Sequence, residues 1–182
     1  MRFAFALAAC LASSAALAQP AGSPPAGAED ATPPAGADQL VGLFGATCLH
    51  FAGDTAALRT FLQQQNAPQM PAQARDAFLA GRQGQVFDVS YKTVKLALVS
   101  LDDGTCEAVV DQADPAQVRT IFQQAAAENR LAIQPVGTQP PNGSRPGVEQ
   151  TAYASTLNGR AMHILVSTAQ TPPQAVMVLV PR

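Results

Sequence analysis

Thr93–Asp111, TVKLALVSLDDGTCEAVVD, is the stretch whose reading decides the fold class. Two apolar runs, Thr93–Leu101 and Thr105–Asp111, flank Asp102-Asp103-Gly104. A three-residue loop with glycine at its left-handed position is a common hairpin connection. That turn sets the register, with Leu101 opposite Thr105. Ser100 then faces Cys106, Leu98 faces Ala108 and Leu96 faces Val110, all on one side because strand side chains alternate. Lys95 falls opposite Asp111 on the other side, an opposite-charge cross-strand pair. Cys106 therefore points toward an apolar layer.

Helices are expected upstream. Asp38 reads as the cap of a first helix, with Leu40, Leu43, Phe44 and Thr47 or Cys48 at helical spacing and Gly53 as its stop. Asp54 caps a second, carrying Leu58, Phe61 and Leu62 on one side. Pro71 suits the first position of a short third helix that bears Phe78 and Leu79 and closes at Gly81. Val86–Tyr91 reads as a strand leading into the hairpin.

Downstream, Asp114 caps the clearest helix, with Pro115 at its first position and Gln117 completing a capping-box-like pattern. Val118, Ile121, Phe122 and Ala125 form its apolar stripe, and Asn129-Arg130 closes it. Leu131–Val136 returns as a strand, and Pro135 inside it indicates an edge position. Gly137–Pro146 is a Pro/Gly/Asn loop, and its Asn142-Gly143-Ser144 is read as turn chemistry. Val148–Thr156 and Arg160–Thr168 form a hairpin through Asn158-Gly159, a strong type I′ signal. Val176–Val180 is the last strand. The fold class is α+β: N-terminal helices, then β-β-β-α-β-β-β-β in a mostly antiparallel twisted sheet with helices on one face. A profilin-like or PAS-like sheet is the nearest picture, and such an analogy carries no function. No internal repeat is visible.

The ends of the chain indicate export. Residues 1–18 have a basic start at Arg2, an apolar stretch from Phe3 to Ala16, and small residues at Ala16 and Ala18, as a cleavable signal peptide requires. The apolar run is shorter than the ~20 residues of a membrane span. Leu7-Ala8-Ala9-Cys10 also matches a lipoprotein box, but only nine residues precede Cys10 and the apolar run continues past it, which argues against a lipid anchor there. Residues 19–37, QPAGSPPAGAEDATPPAGA, lack large apolar side chains and read as a disordered, partly extended linker. Residues 38–182, about 145 in all, make a single α+β domain large enough for its own core.

Of the three cysteines, Cys10 leaves with the signal, so Cys48 and Cys106 remain as a pair in an oxidising compartment. The alternative is two separate buried thiols. A redox-active pair is disfavoured because there is no C-x-x-C spacing. Cys48 ends a helix that packs where Cys106 points, so compartment and geometry agree on a disulfide.

These features together resemble a family of small exported bacterial proteins without assigned activity. The resemblance spans roughly residues 40–130. It rests on the export signal, on Cys48 ahead of Gly53-Asp54 and Leu58, and on Cys106 in a strand after Asp102-Asp103-Gly104. It implies an oxidised periplasmic domain and transfers no catalytic residue.

Composition excludes several functions. The net charge is −2 and the basic residues are scattered, which argues against nucleic acid and against polybasic membrane binding. The chain has no Trp and only 5% aromatics, so aromatic sugar platforms and hot spots are disfavoured. There is no G-x-S-x-G, H-E-x-x-H, P-loop or G-x-G-x-x-G, and no cofactor or metal is implied. Asp102 and Asp103 are turn residues before they are a catalytic pair. His50 follows a helix end and reads as structural.

His163, Tyr153 and Arg160 are the candidate ligand-binding residues. The Asn158-Gly159 register places His163 opposite Ala154, with Ala152, Ala161 and Leu165 on the same face, so its imidazole is either a core histidine or the polar point of a small-residue pocket. Tyr153 falls opposite Ile164, half buried, and Arg160 flanks the turn in solvent. The leading function is a non-catalytic exported binding protein for a protein or small ligand, through its sheet face or the Gly137–Pro146 loop; an enzyme inhibitor is one form of this. The alternatives are a hydrolase using His163 with an acidic partner, or a structural envelope component.

Overall fold

In the computed structural model, which describes residues 35–137 and 147–182, the chain runs α1 (Ala35–Phe44), a π-helical turn (Gly45–Leu49), α2 (Thr55–Gln64) and α3 (Ala72–Leu79). Then come β1 (Gly84–Asp88), β2 (Leu96–Leu101), β3 (Cys106–Val110) and α4 (Pro115–Glu128). The last four strands are β4 (Gln134–Gly137), β5 (Val148–Leu157), β6 (Arg160–Ala169) and β7 (Ala175–Pro181). All described residues belong to one compact unit. The signal peptide, most of the linker, Cys10 and the Gly137–Pro146 loop beyond Gly137 lie outside the described residues.

The β2–β3 hairpin has the expected register: Leu96 opposite Val110, Leu98 opposite Ala108, Ser100 opposite Cys106. Its turn is held by Asp103, whose carboxylate accepts from the Thr105 amide at 2.8 Å. Hydrogen bonding from Thr105, backbone first and side chain second, keeps the Asp103 carboxyl below the ordinary carboxylate range. The β5–β6 hairpin also pairs as its turn dictates, with Ala154 opposite His163 and Leu157 opposite Arg160. Asn158 and Gly159 both have positive φ, 50° and 75°, as a type I′ turn needs.

The sheet has seven strands in the order β1-β2-β3-β7-β6-β5-β4, and every neighbouring pair is antiparallel. Two meanders thus meet at β3 and β7, and α4 carries the chain from the middle of the sheet to the far edge at β4. That edge strand contains Pro135, as expected of a residue that cannot donate to a ladder.

Three helices and the π turn cover one face. Leu40, Phe44, Leu58, Val118 and Phe122 pack with Leu98, Ile164 and Met177 in one core. The helix α3 departs from the expectation of a single covered face. Its Leu79 packs with Val86, Val99 and Leu101 in a second, smaller core on the other side of β1 and β2. The run LALVSL explains why: all six residues of β2 are buried, and a strand without polar alternation needs cover on both faces.

Capping follows local chemistry with four differences. Asp54 accepts from the Ala57 amide at 2.9 Å, and Asp114 from the amides of Ala116 and Gln117 at 2.8 and 3.0 Å. Gln117 does not return a capping-box bond, since its side-chain oxygen is buried without a partner. Pro71 stands at the cap of α3 and not at its first position. The strand β1 is Gly84–Asp88, shorter and earlier than Val86–Tyr91. Finally, α1 starts at Ala35, ahead of Asp38. Gly36 packs so closely that a Cβ there would collide with the Gln112 carbonyl, and Ala37 is fully buried.

Candidate functional site

The helix α1 does not stop at Phe44 but widens into the π turn Gly45–Leu49, whose Cys48 is disulfide-bonded to Cys106 of β3 with Cα atoms 5.5 Å apart. Within the turn the buried Thr47 hydroxyl donates to the Leu43 carbonyl at 2.6 Å. The covalent tie and this bond fix a local geometry that is uncommon in helices and frequent at functional sites.

Alongside the turn, α1 and α4 run in the same direction. Asp38 lies by Ala116 and Ile121, and the Phe44 ring meets Phe122 edge-on with centroids 6.5 Å apart. Between the two helices is an open cleft of about 780 Å³. Its apolar lining includes Val41, Phe44, Leu49, Ile121, Phe122 and Leu157. Gly42 and Gly45 leave it room, since a Cβ at either would have no atom within 4 Å. Its polar lining is Asp38 near the start of α1 and, toward the helix C-termini, His50, Asn129, Arg130, Thr156 and Asn158. Such a volume lies within the ~300–1,000 Å³ of small-molecule sites, which are apolar with a few polar groups.

Asp38 and His50 stand more than two helical turns apart, on the order of 15 Å along α1 and the π turn, too far for joint acid–base work. Among the described residues no cluster of three or more His, Cys, Asp or Glu could hold a metal ion. No described helix is long and apolar enough to cross a membrane.

The three candidate residues are not brought together, and none lines the cleft. His163 sits on the face of the sheet away from α1, α2 and α4, the face that α3 covers at β1 and β2, opposite Ala154 and Val180, with Val178 and Leu165 nearby on that face. Its Nε2 is buried with no hydrogen-bond partner, and no described carboxylate bonds to it. Tyr153 lies on the opposite face. It is 4% exposed, more buried than the half-buried position expected, because Phe122 covers its ring at 5.4 Å. Its hydroxyl accepts from Gln123 at 3.3 Å. Arg160 is exposed as expected, but its Nη1 donates to the Gly53 carbonyl at 2.9 Å and so ties the β5–β6 turn to the end of the π-turn segment.

The sequence reading missed the cleft. One signal was present: Gly42, Gly45 and Ala46 recur at helical spacing in an otherwise apolar helix, which leaves a shallow face where the stripe should be full. His50, read as structural, lies on the cleft rim, its ring edge-on to Phe51 at 4.6 Å. No family model, no curated protein and no solved structure matches this chain.

Proposed function

We propose that this chain is an exported, non-catalytic binding protein that takes a small apolar or amphipathic molecule in the cleft between α1 and α4. The observation that carries the reading is the cleft itself: about 780 Å³, apolar between two polar ends, with Gly42 and Gly45 leaving space that neighbouring side chains do not fill. An unfilled apolar recess on a well-packed core is costly unless something occupies it. The resemblance of residues 40–130 to small exported proteins, the signal-like residues 1–18 and the Cys48–Cys106 disulfide support an oxidising compartment such as the periplasm.

The test is native mass spectrometry of the protein recovered from its expressing cells. A stoichiometric added mass that is lost in Gly42→Leu supports the reading. Leucine is a better helix former than glycine, so the variant should melt no lower than wild type while filling the cleft. A bare protein, or an added mass that Gly42→Leu retains, refutes it.

A further inference from the structure

The cleft is polar at its two ends and uncharged between them. Arg59, Arg75, Arg82 and Arg119 each pair with a carboxylate, on Asp102, Asp76, Glu107 and Glu149 respectively. Arg160 is spent on a backbone carbonyl. Arg130, just past the end of α4, has no ion pair with a described carboxylate and lines the cleft, as does the exposed His50. Asn129 and Asn158 at the same end already donate to the carbonyls of Ala125 and Ala52, which leaves Arg130 as the charged donor there. At the other end Asp38 lies in the first turn of α1, where the helix N-terminus compensates its charge.

We infer that the occupant is a single-chain amphiphile with a carboxylate head, its acyl chain along the cleft lining and its head at Arg130. This rests on the cleft being the binding site. An open trough lined from Asp38 to His50, past more than two helical turns, suits an unbranched chain better than a compact ring system. A guanidinium fork matches a carboxylate in shape, and its single charge balances a single negative charge.

The experiment is isothermal titration of the oxidised chain with dodecanoate, dodecanol and dodecylamine, each below its micelle-forming concentration. Dodecanoate should bind about tenfold more tightly than dodecanol, with dodecylamine the weakest, given the strength of hydrogen bonds to charged groups. Arg130→Gln should remove the advantage of dodecanoate and leave dodecanol unchanged, and Arg130→Lys should restore part of it. Equal affinity for the three probes, or dodecanoate binding untouched in Arg130→Gln, overturns the carboxylate assignment and leaves the cleft as the site. Failure of all three to bind, or binding that Gly42→Leu does not weaken, overturns the cleft reading and this assignment with it.

Discussion

Asp114 and Asp103 are exposed or partly exposed residues whose effects can be read from their own hydrogen bonds. Asp114 satisfies two amides at the start of α4, and Asp114→Ala should cost about 1 kcal/mol, measured as a lower urea midpoint at unchanged slope. Asp103 and Asp88 are held below the ordinary carboxylate range. Hydrogen bonds from Thr105 hold Asp103, and hydrogen bonds from Ser90 hold Asp88, with Lys95 adding a smaller attraction. A carboxyl whose folded value lies below its unfolded value, about 3.9, stabilises the fold fully above that value. That contribution is lost as pH falls through the folded value. Asp103→Asn should therefore be less stable than wild type near neutrality, and the gap should close as pH falls below about 4, the unfolded value, and through the lower folded value. Urea midpoints across that range check the sign, and a gap that widens on acidification contradicts it. Both aspartates were legible in the sequence, because caps and turns are made within three residues. Gly36 was not. Its neighbour Gln112 is remote in the chain, so nothing local distinguishes it from the glycines of the linker.

At the scale of elements, α4 both closes the core and forms one wall of the cleft. Phe122 is 1% exposed and touches Phe44 and Tyr153 by ring contact. Phe122→Ala should cost about 3–5 kcal/mol in chemical denaturation. Both hairpins were legible, since a short turn fixes every later pair by alternation. Less legible were the π turn and the face that α3 covers. A helical stripe through Leu43, Phe44, Thr47 and Cys48 reads the same whether one turn is widened or not. Leu79 carries no mark of which side of β2 it meets. The unbroken LALVSL run does signal a strand buried on both sides, and it is the stronger clue in hindsight.

For the whole molecule, the Cys48–Cys106 bridge joins the helical layer to the middle of the sheet across a separation of 58 residues. Reduction, or the Cys48→Ser/Cys106→Ser double variant, should lower stability by about 4 kcal/mol in the chain-entropy account. Urea unfolding with and without reductant measures it, and thiol titration of the native protein should find neither cysteine free. The primary structure alone determined what is made by near neighbours, namely caps, turns and hairpin registers; the α+β class followed from the order of elements, and the pairing of two distant cysteines from their being the two left once Cys10 is set aside with the signal and from the face to which Cys106 points. The tertiary structure decided the rest. The two meanders join at β3 and β7, whose partners Cys106 and Leu179 are far apart in the chain. Their pairing depends on which edges remain open once each hairpin has formed. The cleft depends on how α1 and α4, separated by the whole first meander, lie against the same face. The sequence placed Tyr153 and His163 on opposite faces of the sheet by alternation; only the packing of Phe122 buried the one and left the other beneath no helix.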